Sequence, residues 1–272
     1  MKKTIGFIGC GNMGKAIAEG ILKAGAVSGE NLYITDHHPD RLKTLKNTYH
    51  VQLAEQAETA KISDILVLGV KPHMYRDLIE EIRDQVKENV IIVDIAAGQT
   101  IDNVQHMFGR EIKVARIMPN TPAAVMEGMT ALCGSSNMNT DEIIMMKELF
   151  SSFGRCEILS ETIVSAAGTA SGASPAFIYM LIEAMADGAV LLGMKREQAY
   201  TFCAQAVLGS ARMVLESGLH PGALKDQVCS PGGSTIEGVA VLENRGFRSA
   251  VIEAMRAANS KSEAMKKHNE AN

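Results

Sequence analysis

The stretch Gly9-Cys10-Gly11-Asn12-Met13-Gly14 decides the fold of this chain, because it lies where an apolar run beginning at Thr4 gives way to helical spacing. A GxGxxG string alone is a weak signal, but between a strand and a helix it is typical of dinucleotide binding. The glycines allow a tight turn, a close approach to a pyrophosphate and close helix packing, and the helix N-terminus attracts the phosphates. The motif predicts a Rossmann domain that binds NADP or NAD, with a purely structural turn as the alternative.

Outward from this motif, short apolar runs alternate with helical spacing as far as about residue 160. Alternation of this kind predicts an α/β fold with a mostly parallel, doubly wound sheet. Runs rich in Ile, Val and Leu are typical of strands that are buried on both faces. The predicted strands are 4–9, 31–35, 65–70, 90–95, 113–118, 130–133 and 155–158.

From about residue 161 the pattern becomes helical throughout, which predicts two domains, 1–160 and 161–272, the second all-helical. A wide apolar stripe over 177–192 indicates a helix that is buried on more than one side, either as the central helix of one monomer or at a subunit interface. Ser174 and Pro175 fit a capping residue and a first helical position. Further helices are predicted at about 195–217, 221–229, 235–244 and 247–267.

The bulk properties limit the classes of partner. With 27 Lys+Arg against 31 Asp+Glu, the chain lacks the basic surface that nucleic acids or anionic membranes need. Five scattered cysteines without a CxxC pair argue against a disulfide framework or a zinc site. The first residues do not resemble an export signal or a spanning segment. We therefore expect a cytoplasmic protein with no metal, no nucleic-acid partner and no membrane.

An acid follows the second strand at the position where a ribose is bound. Asp36 lies about 20 residues after the glycine motif, where a carboxylate accepts from the ribose 2′-OH and repels a 2′-phosphate, which favours NADH. Neighbouring His37, His38 and Arg41 would offset part of that repulsion. Adjacent residues of an extended chain point to opposite faces, so the two histidines make a poor metal chelate. A solvated loop with one histidine beside the ribose is the better interpretation.

Two further strand ends fit the same crevice, because ligands of open α/β sheets lie beyond the carboxyl ends of the strands. Gly69-Val70-Lys71-Pro72 ends one strand and Ala96-Ala97-Gly98 ends the next. The small residues allow a cofactor to approach closely. Lys71 is either a surface lysine or a neighbour of the ribose or a phosphate, and its position beside Pro72 favours the second interpretation.

Two segments indicate a substrate site. Arg116-Ile117-Met118-Pro119-Asn120-Thr121-Pro122 predicts a rigid turn near the nicotinamide, with Asn120 as a cofactor contact, although prolines and polar residues also occur in ordinary loops. The second segment, 225–237, carries Ser230, Gly232, Gly233, Ser234 and Thr235. Ser234 and Glu237 have the spacing of a capping box. Hydroxyls beside a helix N-terminus suit a small carboxylate, and a well-capped turn is the alternative.

With these segments the chain resembles the pyrroline-5-carboxylate reductase family over essentially its whole length. The matching segments are FIGCGNMG, GVKP, RIMPNTP, SGASPAF and HPGALKDQVCSPGGSTIEGV. The resemblance implies hydride transfer from NADPH or NADH to the C=N bond of 1-pyrroline-5-carboxylate, which gives L-proline in the last step of its synthesis. It also implies a homodimer through the helical domain, with rings of dimers as a larger assembly. The loop 230–235 would hold the substrate carboxylate against the nicotinamide of the partner subunit.

Two positions depart from the family pattern. The family commonly has Asn near the adenosine where this chain has Gln56, and a Thr at the position of Gly168, beside which this chain has Thr169. Thr169 is therefore our candidate for a contact to the substrate nitrogen. We assign no general acid or base, because a protonated C=N carbon is already electrophilic and catalysis then rests on placement of the reactants.

Three other functions share parts of this pattern. Imine reductases and β-hydroxyacid dehydrogenases have a similar domain plan, but those dehydrogenases carry a catalytic lysine on the long helix, and residues 161–193 contain no lysine. A non-catalytic dinucleotide-binding protein would not require the hydroxyl-rich loop or the turn around Asn120.

Overall fold

The structure, a computed structural model, describes residues 2–271, with side chains described outside 39–41 and 268–271. Within the described residues one sheet has eight strands: β1 Ile5–Ile8, β2 Leu32–Thr35, β3 Gln52–Leu53, β4 Ile65–Leu68, β5 Ile91–Asp94, β6 Lys113–Met118, β7 Gly128–Gly134 and β8 Gly154–Ile158. Seven of them confirm predicted strands. The unpredicted strand, β3, has only two residues, which is too short to show an apolar pattern.

Twelve α-helices are described: α1 Asn12–Lys23, α2 Pro39–Tyr49, α3 Gln56–Ile62, α4 Tyr75–Ile82, α5 Ile101–Phe108, α6 Thr140–Ser151, α7 Glu161–Gly168, α8 Ser174–Leu191, α9 Arg196–Ser217, α10 Pro221–Val228, α11 Ser234–Asn244 and α12 Phe247–Ala271. A single π-helical turn, Thr169–Ala173, joins α7 to α8. The last four helices agree with the predicted ones to within a few residues at each end.

The strand order is β3-β2-β1-β4-β5-β6-β7-β8, and every pair is parallel except β6 with β7. The prediction of a mostly parallel, doubly wound sheet is confirmed. The order reverses beside β1, because β2 lies on one side of it and β4 on the other. A crevice beyond the strand ends at this point is where such sheets bind ligands.

The sheet is covered on both faces, as alternate residues of β4 show. Ile65 and Val67 belong to one buried cluster with α1 and α6, while Leu66 and Leu68 belong to the other with α4 and α5. Successive side chains of a strand point to opposite faces, so a strand buried on both sides must be apolar throughout. The continuous Ile-Val-Leu character of the sequence has this cause.

By backbone contacts the chain forms two compact units, Met1–Gly172 with Ala258–Asn272, and Ala173–Ala257. The first contains the whole sheet. The second has a small core of its own, formed by Ala186, Ala199 and Cys203. The domain boundary at residue 160 stays a prediction.

Most apolar side chains of α8 lie on the surface of the single chain. Tyr179, Met180 and Leu191 are 60%, 68% and 88% exposed. Within Glu161–Leu191, only 6% of the most apolar stretch of 18 residues is buried. By length and composition alone this run could cross a membrane. Helices that pack against another subunit have the same composition, so the observation is a weak indication of a membrane span. Within one chain, α8 is not the buried central helix that one interpretation of its stripe predicted.

Two predicted caps are wrong. Ser174 is the first residue of α8 rather than its N-cap, because the preceding π-turn continues directly into the helix with Ala173 in a helical conformation. At α11 the N-cap is Gly233, and no side chain caps the helix. Ser234 already lies inside the helix, so its hydroxyl cannot form the predicted capping box with Glu237.

Candidate functional site

The glycine motif forms a tight turn that fits against the end of β4. Gly9 has φ +89°, and its N–H donates to Thr35 O at 2.8 Å. A Cβ atom on Gly69 would lie 2.1 Å from Gly9 O, and one on Gly14 would lie 2.8 Å from the same oxygen. The turn can therefore close only with glycine at these positions. Gly11 is the N-cap of α1, no side chain caps the helix and its first turn has no acid, which leaves the helix N-terminus suited to an anion.

The turn opens onto a cleft of about 520 Å³. It brings together the glycine motif, the two strand ends and one residue of the rigid turn, Thr121, all from segments that the sequence predicted here. Two lining residues were not predicted, Ile95 and Met265. Met265 comes from α12, far along the chain, and carries no sequence signal for this role. The lining residues are Gly11, Asn12, Met13, Gly14, Gly69, Val70, Lys71, Pro72, Ile95, Ala96, Ala97, Thr121 and Met265.

A second cleft, of about 200 Å³, continues from the first, since Val70 lines both. It contains Gly9, Asp36, His37 and Gln56, all predicted. Two acids of α4 that the sequence analysis missed also line it, Asp77 and Glu81. The remaining lining residues are Ile8, Thr35, Met74 and Leu78. The two clefts together form one groove along the strand ends, and residues of the glycine motif line both parts of it.

The carboxylate of Asp36 is held by the backbone. Its Oδ2 accepts from Cys10 N at 2.6 Å, and its Oδ1 accepts from His38 N at 2.8 Å, with His38 Nδ1 at 3.5 Å. The acid thus joins the end of β2 to the glycine turn. Each oxygen keeps a second lone pair, so a ribose hydroxyl can still donate to it. Arg41, which the sequence placed nearby, has a side chain outside the described residues.

Around the second cleft, Gln56 Nε2 donates to Glu81 Oε2 at 2.5 Å. This bond joins the amide of Gln56, on α3, to the carboxylate of Glu81, on α4, so that the Glu81 side chain faces Gln56. His37 is exposed at the rim. Among the described residues, no group of three or more His, Cys, Asp or Glu side chains has the geometry to hold a metal ion.

Three predicted cofactor residues lie outside both linings. Cys10 is fully buried, and Gly98 is buried with φ +80°. Asn120 is 7% exposed and bonds at both ends: Nδ2 donates to Ser171 O at 2.9 Å, and Oδ1 accepts from Met129 N at 2.8 Å. Asn120 therefore fastens the turn after β6 to the π-turn, and Thr121 is the residue of that turn that faces the cleft.

Thr169 lies at the start of the π-turn and is 6% exposed. Its hydroxyl donates to Ser165 O at 3.1 Å and lies 3.4 Å from Asn259 Oδ1. The single hydroxyl hydrogen is thus used within the protein, and only the oxygen could accept from a substrate N–H. The preceding residue, Gly168, lies against the side chain of Met118. A Cβ atom at this position would lie 2.7 Å from Met118 Cγ, so any larger residue would require the Met118 side chain to move. The contact to the substrate nitrogen stays a prediction.

Below the first cleft lies a buried acid that the sequence analysis did not assign. Asp94, at the end of β5, is fully buried, and its Oδ1 accepts from Tyr75 Oη at 2.7 Å and from Ala96 N at 3.0 Å. Burial raises the pKa of Asp94 to about 6, against the effects of these bonds and of Arg116. Arg116 is itself 1% exposed and bonds Glu161 Oε1 through Nη1 at 3.2 Å.

The hydroxyl-rich loop lies in the second compact unit. Gly233 N donates to Ser230 O at 3.0 Å around Gly232, which has φ +67°, so a glycine is needed there. The hydroxyl-bearing residues Ser230, Ser234 and Thr235 are exposed. Among the described residues no side chain caps α11, so its first N–H groups, which have no partner within the helix, remain suited to an anion. Neither of the two clefts described above includes this loop.

Comparison with known proteins agrees with both halves of the chain. Residues 161–265 match the family model for pyrroline-5-carboxylate reductase dimerisation, and residues 4–98 match the model for NADP oxidoreductase, coenzyme F420-dependent. The chain is 47% identical to pyrroline-5-carboxylate reductase of Escherichia coli, over 98% of this chain and 100% of that protein. It is 38% identical to the Methanosarcina acetivorans reductase, over 97% and 98%.

Among solved structures, the Plasmodium falciparum pyrroline carboxylate reductase with NADP bound has a TM-score of 0.89 at 32% identity, over 97% of this chain and 98% of that one. The Coxiella burnetii reductase also gives a TM-score of 0.89, at 30% identity, with coverage of 97% and 99%. These relatives match the chain over both the sheet and the helical region. The chain therefore belongs to the pyrroline-5-carboxylate reductase family.

Proposed function

We propose that the chain reduces 1-pyrroline-5-carboxylate to L-proline with NADPH or NADH, the last step of proline biosynthesis. The observation that carries the proposal is the groove at the glycine turn, in which the ends of β1, β4 and β5 meet an uncapped helix N-terminus. The family membership supplies the substrate, and the groove supplies a place for the pyrophosphate and nicotinamide.

When bound, the reduced nicotinamide supplies a hydride to the C=N carbon of the imine. The protein's part is placement, because a protonated imine already carries the proton that the product nitrogen keeps. Asn12, Met13 and Gly14 would hold the pyrophosphate at the start of α1, while Ala96 and Ala97 would border the nicotinamide. The apolar lining by Ile95 and Met265 would exclude water from the hydride path.

We assign the narrower cleft to the adenosine half of the cofactor. Asp36, Asp77 and Glu81 line it, and no lysine or arginine is among its described lining residues. This excess of acid disfavours a 2′-phosphate, so the proposal includes a preference for NADH, with His37 as the ribose neighbour. Gln56 would face the adenosine, and Lys71, an exposed residue of the first cleft, would approach a ribose or phosphate.

The substrate carboxylate is assigned to the loop 230–235. Ser230, Ser234 and Thr235 offer exposed hydroxyls, Gly232 and Gly233 bring the backbone close, and the uncapped start of α11 favours an anion. In the shared-site arrangement that the family resemblance implies, this loop faces the nicotinamide of the partner subunit.

The proposal further includes a homodimer built on the second domain, 161–272, with a ring of dimers as the larger assembly. The exposed apolar faces of α8 and α9, with Leu191 at 88% and Phe202 at 65%, support an interface there rather than a membrane span. A net charge of −4 and cysteines without close spacing support a cytoplasmic protein with no nucleic-acid partner.

The test is oxidation of NADPH and NADH, followed at 340 nm, with 1-pyrroline-5-carboxylate as substrate and proline identified as product. The matched control is a 3-hydroxyacid with NAD⁺ or NADP⁺, the substrate of the alternative dehydrogenase. Turnover of the imine alone is expected. Turnover of the hydroxyacid, or binding of the cofactor without turnover of either compound, would refute the assignment.

A further inference from the structure

The last turns of α12 belong to the first unit and face two of its clefts. Met265 lines the cleft of about 520 Å³ at the glycine turn, whereas the next residue, Lys266, lines a separate polar cleft of about 420 Å³. Successive residues of an α-helix point about 100° apart, so a helix that faces two clefts in this way lies above the ridge between them. The ridge is the segment 95–103, from the end of β5 into the first turn of α5. Its residues divide between the two linings: Ile95, Ala96 and Ala97 in the first, and Thr100, Asp102 and Asn103 in the other.

This position places Met265 at one end of the cofactor groove. The second cleft, which we assign to the adenosine, lies at the ends of β1, β2 and β4, where it includes Ile8, Thr35 and Val70. In the sheet, β5 follows β4 on the side away from β2. Met265 therefore belongs to the end of the groove that is farthest from the adenosine. The nicotinamide of a dinucleotide reaches the same end, because the pyrophosphate between the two halves is assigned to the glycine turn.

The surroundings of Met265 suit a flat ring. Its side chain is apolar yet 38% exposed, so part of its surface is in contact with water in the free protein. The lining residues from the end of β5, Ile95, Ala96 and Ala97, are also apolar. A thioether side chain is flexible and polarizable and makes favourable contacts with aromatic rings. A ring that enters here would remove apolar surface of Met265 from water.

A polar contact ties α12 to the π-turn close to this point. Asn259 Oδ1 lies 3.4 Å from Thr169 Oγ1, and both residues belong to the first unit. Asn259 precedes Met265 by six residues, which span about 9 Å of helix. Thr169 is our candidate for the contact to the substrate nitrogen. The same helix thus borders the predicted substrate contact and the far end of the cofactor groove.

We propose that Met265 contacts the nicotinamide ring of the bound cofactor, so that the C-terminal helix α12 forms one wall of the hydride-transfer site. The inference rests on the proposed function, in that it takes the groove to hold a dinucleotide with its adenosine in the second cleft. It gives one side chain a defined role: Met265 contributes to the affinity for the nicotinamide half of the cofactor and not to the affinity for the ADP-ribose half.

The test compares NAD⁺ with ADP-ribose, which lacks only the nicotinamide, in calorimetry on the full-length protein. Met265→Ala should raise the Kd of NAD⁺ about 5- to 10-fold, which corresponds to about 1–1.4 kcal/mol of lost apolar contact, and should change the Kd of ADP-ribose less than about twofold. A general distortion of the cleft would weaken both ligands instead.

Met74→Ala is the matched control. Met74 is exposed to a similar degree, 36%, but lines the adenosine cleft. The same chemical change at the opposite end of the groove should therefore weaken NAD⁺ and ADP-ribose by the same factor, because both ligands carry the adenosine.

A second measurement needs no variant. Peroxide transfers one oxygen atom to a methionine thioether, which gives the sulfoxide and water. Trypsin releases Met265 within the peptide 262–266, in which it is the only methionine. Saturating NAD⁺ should slow the oxidation of this peptide in mass spectrometry, because the ring covers the sulfur, whereas saturating ADP-ribose should not.

Three results would overturn the inference: an equal loss of affinity for both ligands in Met265→Ala, no loss for either, or the same degree of protection from peroxide by both ligands. Each of them leaves the proposed function intact, because the groove still binds the cofactor. Failure of the wild type to bind NAD⁺, NADP⁺ and ADP-ribose would overturn the inference and the proposed function together.

Discussion

The burial of Asp94 has a cost that a single substitution should remove. In the folded chain the pKa of Asp94 is raised from 3.8 to about 6 by burial, which outweighs its bonds to Tyr75 and Ala96 and the charge of Arg116. A shift of roughly two units corresponds to about 3 kcal/mol between the protonation states. Because the folded state holds the proton more tightly, folding is favoured at low pH. The cost appears as pH rises through 3.8 and is fully present above about 6.

Asp94→Asn should therefore stabilise the protein at neutral pH and not in acid. The amide cannot ionise, and it still accepts from Ala96 N. Relative to the wild type, we expect an increase in unfolding free energy of up to about 3 kcal/mol at pH 7.5 that falls towards zero near pH 4. Typical domains have 5–15 kcal/mol of stability in total, so such a gain is easily measured.

The measurement is urea unfolding followed by circular dichroism at four pH values, with the protein concentration held constant because the proposed assembly would contribute to stability. Asp64→Asn is the control of opposite sign. Burial acts to raise the pKa of Asp64, but its bonds to Lys87 and Thr4 outweigh this effect and the pKa is lowered. The substitution Asp64→Asn removes this stabilising carboxylate and should therefore destabilise the protein above pH 4. A stability difference for Asp94→Asn that does not change with pH, or that favours the wild type at pH 7.5, would refute the reasoning.

Four further outcomes are expected. Thr235→Ala should lower kcat/KM for the imine by roughly 10- to 150-fold, the value of a hydrogen bond to a charged group, with NAD⁺ affinity unchanged by calorimetry. Asp36→Ser should shift the NADPH/NADH ratio of kcat/KM by roughly 5- to 30-fold toward NADPH, and an unchanged ratio would mean that Asp36 serves the turn alone. Gly69→Ala should weaken NAD⁺ binding at least about tenfold, since its Cβ would lie 2.1 Å from Gly9 O, whereas Gly209→Ala, with open space around it, should not. In sedimentation the chain should form a dimer or larger species at micromolar concentration, and a fully active monomer would contradict the shared site.

Sequence patterns predicted the first unit well because its strands obey one simple physical constraint. A strand such as Ile65–Leu68 that is buried on both faces must be apolar at every position, and the glycine turn admits no side chain at Gly9, Gly14 or Gly69. Strand ends in a parallel sheet share an edge, so the sequence alone places Lys71 and Ala96 together.

The contacts that sequence could not predict depend on distant residues. Asp77 and Glu81 enter the second cleft because α4 packs beside β1 and β4, while their own segment reads as an ordinary amphipathic helix. Met265 reaches the first cleft from the far end of the chain. Ser234 was misplaced for a local reason: Gly233 already has the extended conformation of an N-cap, so the helix begins one residue earlier than the capping pattern indicates.

The second unit buries too little apolar surface by itself to be stable, which indicates that the helical half of the chain packs against other protein surface. Its own core consists of three small side chains, Ala186, Ala199 and Cys203, whereas Leu191 and Phe202 remain largely in solvent. So little buried apolar surface cannot offset the conformational entropy of ordering α8 to α11. The missing burial must come from other protein surface, and the match of 161–265 to a dimerisation model supports the proposed second copy as its source. In the proposed dimer, formation of the hydroxyl-rich loop and association of the subunits are then parts of one folding event. For that reason substitutions on the exposed face of α8 should reduce substrate binding before they affect the cofactor groove, whose residues lie in the first unit.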